Sequence, residues 1–144
     1  MRNRVIFLVL LLTTSLMSSG QKSDPLVSNC LTNAGAHLIY LKDFRIQLGK
    51  ADDPGDLRVK AQMSLWKNTK YRFTLCSARE SGGQMIFNLR DESNAVVASS
   101  FDKKTGKTHQ YIDFVCGKSG VYHLSYDFEG GEKGSGVGIV SMIR

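Results

Sequence analysis

The side chains that could do chemistry in this 144-residue chain are few and far apart. His37, His109 and His123 form no His-x-x-x-His pair, and no Cys-x-x-Cys occurs, so the spacing that holds zinc is missing. Gly106-Lys107-Thr108 matches the end of a phosphate loop, but the first glycine of that motif would fall on Phe101. Gly134-Ser135-Gly136-Val137-Gly138 lacks the spacing of a nucleophile elbow. No catalytic residue is assigned. Asp52, Asp53 and Asp56 share one loop, and oxygen-rich loops can hold calcium, which makes calcium the one cofactor with any support. Beside Pro54-Gly55 the same acids are ordinary turn formers, and Asp91, Glu92 and Asn94 take the same discount.

The single tryptophan is the most suggestive side chain. Trp66 shares the parity of Arg58, Lys60, Gln62 and Ser64, which points it away from the core. An exposed Trp with nearby tyrosines, here Tyr40 and Tyr111, is how a sandwich stacks on a sugar ring or anchors a protein. A bulge that folds the indole back over the core is the alternative, and it is slightly favoured.

These residues must be positioned by a chain that alternates. Tyr71-Arg72-Phe73-Thr74-Leu75-Cys76, Met85 to Asp91, Ala95 to Ser99, Gln110 to Cys116 and Gly120 to Tyr126 are short runs rich in aromatic and β-branched residues, parted by Gly, Ser, Asn or Asp. Phe44, Ile46 and Leu48 alternate in an earlier strand, and Leu57, Val59, Ala61, Met63 and Leu65 in the next, which is expected to form a hairpin with the strand at Tyr71. Loop 102–109 is expected to cross between sheets. Tyr122, Leu124, Tyr126 and Phe128 form an inward face, glycine-rich Glu129 to Gly136 a flexible turn, and Val137 to Ile143 the last strand. Asp24 as N-cap and Pro25 at the first helical position start a helix over roughly 25–34, covering one end or edge of a sheet. The expectation is an all-β fold: an eight-stranded antiparallel β-sandwich of jelly-roll type with a short N-terminal helix. No crossover helix fits between the strands, which excludes a parallel α/β fold.

The chain opens with Arg2 and Arg4, an apolar run from Val5 to Leu12, and small residues at Ser18-Ser19-Gly20. That is the pattern of a secretory signal peptide over residues 1–20, cleaved near Gly20, which implies a secreted or periplasmic protein with no membrane insertion after cleavage. The expected division continues with an N-terminal helical segment over 21–41 and the sandwich over 42–144. Cleavage removes two arginines and no acid, so the formal charge falls from +6 to +4. Only Lys103, Lys104 and Lys107 cluster among the cations, and a solvated turn explains them better than a nucleic-acid patch.

Tyr71-Arg72-Phe73-Thr74-Leu75, Phe87 to Ser99 and Ser119-Gly120-Val121-Tyr122-His123-Leu124 resemble the bacterial pre-peptidase C-terminal domain over roughly Tyr71 to Tyr126. The resemblance implies a small secreted β-sandwich module without catalytic residues of its own, of a kind usually appended to exported enzymes. Two departures stand out. No enzyme is attached in this chain, and Ile86-Phe87-Asn88-Leu89 stands where the family's acidic, calcium-type run would be.

Cys30, Cys76 and Cys116 allow one internal disulfide. If successive strands alternate in direction, Cys76 and Cys116 end strands at opposite poles, too far apart to bond. Cys30, just before the first strand, should share the pole of Cys116. The expected bond is Cys30–Cys116, with Cys76 a free thiol; three reduced, buried cysteines are the alternative. The functional expectation is a non-catalytic exported module that binds a protein partner, with a carbohydrate-binding module using Trp66 second and a small secreted enzyme third. Oligomeric state is not legible.

Overall fold

The computed structural model describes residues 24–144 apart from Pro54, so the signal-peptide reading of residues 1–20 lies outside the described residues. Helix α1 (Pro25–Ala34) is followed by β1 (Leu38–Leu48), β2 (Val59–Leu65), β3 (Lys70–Ser77), β4 (Met85–Arg90) and β5 (Val96–Ser99). A ribbon of β6 (Phe101–Asp102) and β7 (Lys107–Thr108) comes next, then β8 (Tyr111–Val115), β9 (Gly120–Phe128), a 3-10 turn (Glu129–Gly131) and β10 (Gly134–Ile143). Among the described residues no helix is long and apolar enough to cross a membrane.

The strands form two four-stranded sheets, ordered β1-β10-β3-β8 and β2-β9-β4-β5, and every pairing is antiparallel. The β6–β7 ribbon stands apart as a third, two-stranded sheet. Ten strands among the described residues therefore replace the eight expected, because loop 102–109 folds on itself while carrying the chain from β5 in the second sheet to β8 in the first. The expected β2–β3 hairpin does not form. β2 pairs with β9, β3 with β10 and β8, and the turn at 67–69 carries the chain from one sheet to the other. Asn68 takes a left-handed conformation there (φ 64°), and its N–H donates to the carbonyl of Cys116 rather than across a hairpin.

The two sheets close on one core. The alternating inward residues of β3 (Tyr71, Phe73, Leu75), β4 (Met85, Phe87, Leu89) and β9 (Tyr122, Leu124, Tyr126, Phe128) are all buried in it. Rings meet across the gap: Phe73 stacks on Phe87 with centroids 5.0 Å apart, and Tyr126 lies 4.9 Å from Phe87 and 5.8 Å from Phe44. This is the sheet-on-sheet packing of a β-sandwich.

Two of the glycines read as a flexible turn, Gly134 and Gly136, are part of that packing, together with Gly138 of the expected last strand. Gly134, Gly136 and Gly138 sit on the inward parity of β10. A Cβ there would lie 2.6 Å from the Phe128 ring, 2.2 Å from Met85 Cε and 2.4 Å from the Tyr126 ring respectively. β10 is central in its sheet, and its missing side chains let the large side chains of β4 and β9 press against it.

Helix α1 forms where expected: the Asp24 carboxylate accepts from the Leu26 N–H at 2.9 Å, Pro25 follows, and Gly35 (φ 106°) ends it. It covers the outer face of the first sheet rather than an end or edge. Leu26, Val27 and Leu31 pack with buried Cys30 over the outward Val137 and Ile139 of β10. Its two ends are tied by the Asp24–Arg45 ion pair and by Arg72 Nη1 donating to the carbonyl of Ala34 at 2.7 Å.

That placement overturns the expected disulfide. Cys30 bonds Cys76, not Cys116, and Cys116 is the free thiol, fully buried. The strand-parity argument holds as far as it goes, since Cys116 sits beside Thr69, where β3 begins, while Cys76 is near its end. It fails because α1 doubles back along the sheet. With Ala34 beside Arg72, the middle of the helix lies against the far end of β3, where Cys76 shares the outward parity of Arg72 and Thr74.

Candidate functional site

The outward face of the first sheet holds an organised polar cluster. Arg72 of β3 meets Asp113 of β8, its cross-strand partner, through Nε and Nη2 at 2.7 and 3.0 Å. The guanidinium beside Asp113 holds that carboxyl below the usual carboxylate range and raises the Arg72 pKa in turn. The same guanidinium lies over the Tyr111 ring, 4.1 Å from its centroid, so one face of this half-exposed tyrosine is supported by a side chain fixed at three points.

Beside Tyr111 opens a cleft of about 880 Å³. Asn33 of α1, Thr74 to Ser77 of β3, Ala78, Ser81 and Gly83 to Met85 leading into β4, and Thr108 to Tyr111 form its walls. Directly opposite Tyr111 on β3 is Thr74, only 3 % exposed, whose hydroxyl has no hydrogen-bond partner. The disulfide fixes the arrangement, since Cys76 lines the cleft and Cys30 is three residues from Asn33.

A second groove, about 550 Å³, lies at the opposite end of β8, between the turns 91–93 and 117–120. Val97, Phe114, Val115 and Tyr122 give it an apolar lining, with Asp91, Glu92 and Lys118 at the rim. Burial, with the Cys116 thiol beside it, pushes the Tyr122 phenol up to about 12, and its hydroxyl donates to the carbonyl of Lys118 at 2.7 Å. β5 and β8 are the last strands of their sheets and carry no lysine or arginine, while Val96, Val97, Tyr111 and Val115 are exposed on them, Val115 by 64 %. The opposite edges, β1 and β2, carry Lys42, Arg45 and Lys60, charges of the sort that keep an edge from pairing.

The residues singled out in the sequence are not brought together. Trp66 is 67 % exposed just past β2, so the indole points outward and the slightly favoured alternative, a bulge folding it over the core, is not what forms. Tyr40 is on β1 and Tyr111 on β8, the two outer strands of one sheet, with α1 across β10 and β3 between them. Three strand spacings, about 14 Å, separate those strands, so no single sugar ring spans both tyrosines. Trp66 belongs to the other sheet's edge. In the acidic loop, Asp52 and Asp53 are exposed, and Asp56 receives Lys60 Nζ at 2.8 Å and its neighbour Leu57 N–H at 2.9 Å. Among the described residues no three His, Cys, Asp or Glu side chains gather as a metal site.

Thr74, Gln84 and Gln110 of the cleft, and Val97 and Val115 of the groove, were not picked out in the sequence. They come from separate segments, so only the outward parity of Thr74 in its strand hinted at a surface role. The chain matches no known family model and no curated protein.

Proposed function

We propose that this protein is an exported, non-catalytic β-sandwich module that binds a protein partner at or outside the bacterial cell envelope, taking an extended segment of that partner along β8. The observation that carries this reading is the unblunted edge: β8 ends its sheet, has no cationic side chain, and runs into an apolar groove lined by Val97, Phe114 and Val115. Cys116 N–H donates to the carbonyl of Thr69, just before β3, and the Gln110 carbonyl accepts from Leu75 of β3, so by period-two alternation the N–H groups of Tyr111, Asp113 and Val115 face away from β3, open to an added strand. The basic, apolar start of the chain and the Cys30–Cys76 disulfide agree with export. The eight longer strands read as a jelly roll, because β1-β10-β3-β8 and β2-β9-β4-β5 are the orders that two interleaved Greek keys generate. The resemblance of Tyr71 to Tyr126 to the pre-peptidase C-terminal domain supports the same reading of a secreted accessory module.

The test is parallel affinity capture from native envelope extract and culture fluid with the mature protein and its Val115→Lys variant, read by quantitative mass spectrometry. The expected result is one stoichiometric protein on the unmodified bait and at least a tenfold loss on the variant, since a lysine on the edge opposes strand addition. Equal recovery on both baits, or no protein enriched on either, would refute the edge-binding reading.

A further inference from the structure

We propose that the cleft walled by Asn33, Thr74, Gln84, His109, Gln110 and Tyr111 is a second binding site, for a neutral saccharide. This goes beyond the partner edge and stands without it. The cleft's lining contains no Asp, Glu, Lys or Arg. What it offers is three side-chain amides, the hydroxyls of Thr74 and Ser77, one imidazole and one aromatic ring; Ser81 and Thr108 also line it, but their hydroxyls are bonded to the Ser135 backbone and to Glu129. Amides and hydroxyls can each donate and accept, which suits the vicinal hydroxyl groups of a sugar and gives no counter-charge to a phosphate, an acidic glycan or a basic peptide.

Two features look built for a ligand rather than left over. Tyr111 is held before anything arrives, because Arg72 supports one ring face and is itself pinned by Asp113 and the Ala34 carbonyl. A pre-fixed ring with its other face free can take the apolar C–H face of a pyranose at little entropic cost. The Thr74 hydroxyl, buried and unpartnered, lies one strand away from that ring in the cleft. Buried hydroxyls are nearly always satisfied, and a ligand hydroxyl, directly or through a water, would complete this one. The Cys30–Cys76 bond holds the helix that carries Asn33 against the same strand, so the walls are set by a covalent tie.

The experiment is a titration of the ¹⁵N-labelled mature protein, disulfide intact, with cellohexaose, xylohexaose, mannohexaose and chitohexaose, and with polygalacturonate as the charged comparison. Saturable amide shifts at Asn33, Thr74, Gln84, His109, Gln110 and Tyr111 with at least one neutral probe are the expected result. Tyr111→Ala should weaken that binding about tenfold, the loss of one stacking contact. Thr74→Val, which keeps the shape and removes only the hydroxyl, should weaken it about three- to tenfold without lowering stability, because no bond within the protein is lost. His109→Ala serves as a second variant if Tyr111→Ala does not fold, and should weaken binding too. Trp66→Ala and Val115→Lys should bind as the unmodified protein does, which separates failure of this site from failure of the partner edge. The proposal is overturned if no neutral probe moves these amides, if polygalacturonate binds more tightly than all of them, or if Tyr111→Ala and His109→Ala leave affinity unchanged.

Discussion

Breaking the Cys30–Cys76 bond should cost this protein a large share of an ordinary domain's stability margin. The bond joins residues 46 apart in sequence, and closing a loop of that length removes about 4 kcal/mol of chain entropy from the unfolded state. The helix it secures stays docked after reduction, since Leu26, Val27 and Leu31 cover Val137 and Ile139, and both helix ends keep their contacts to Arg45 and Arg72. The loss should therefore appear as destabilisation of the whole domain, lowering the thermal midpoint by about 15 °C for a domain of this size. The assay is thermal unfolding of the mature protein with and without phosphine reductant, and of the Cys30→Ala/Cys76→Ala double variant. Peptide mapping gives an independent reading. Trypsin cleaves after Lys22, Lys42, Arg72, Arg79, Lys107 and Lys118, which places each cysteine in its own fragment. Fragment 23–42 should be linked to 73–79, with 108–118 carrying a thiol that alkylates only after denaturation, since Cys116 is fully buried. A link between 23–42 and 108–118, or a loss below about 1 kcal/mol on reduction, would refute the argument.

Two further outcomes follow from the core. Gly138→Ala places a Cβ 2.4 Å from the Tyr126 ring, which is packed by Phe44 and Phe87 and cannot move aside, so it should cost about 1–3 kcal/mol in urea unfolding. Gly117→Ala meets nothing within 4 Å and should change stability by less than about 0.5 kcal/mol. Burial acts to raise the pKa of Asp127, but hydrogen bonds from the Arg58 guanidinium and from the N–H groups of Phe128 and Arg58 outweigh it and hold the carboxyl below its usual range. A depressed carboxylate stabilises the fold above its unfolded pKa, about 3.9, and loses that contribution as pH falls through the lower folded value. Asp127→Asn should thus cost about 2 kcal/mol at pH 7, and the gap should narrow below about pH 4; a gap independent of pH would contradict the ion-pair account.

What could be read from the sequence and what could not divide along one physical line, the range of the interaction. Alternation is local, and it placed Tyr122, Leu124, Tyr126 and Phe128 inside correctly because a strand turns every second side chain to the same face. Helix capping is local too, and Asp24-Pro25 marked the start of α1. Strand partners are not local. The Lys67 to Thr69 turn has the same composition whether it makes a hairpin or crosses between sheets, and which it does is decided by β9 and β10, about fifty residues or more downstream. The disulfide failed for the same reason: parity fixed the poles of Cys76 and Cys116, but nothing near Cys30 says that the helix doubles back over the sheet.

The glycines of β10 are the instructive exception, because a signal was present. Gly134, Gly136 and Gly138 alternate with Ser135, Val137 and Ile139 at the strand period, and a period-two row of missing side chains is what a strand needs when large ones press on it from the other sheet. Composition alone reads such a stretch as flexible, and periodicity reads it as packed. The candidate sites offered no such signal. Asn33, Thr74, Gln84 and Gln110 lie on a helix, a strand, a loop and a strand entry, and share no spacing that a motif could capture. Likewise, Val97 and Val115 look like any alternating apolar residues until β5 and β8 are known to end their sheets. A valine in a middle strand is core; the same valine on an outer strand without a lysine nearby is an open edge, and only the strand order tells the two apart.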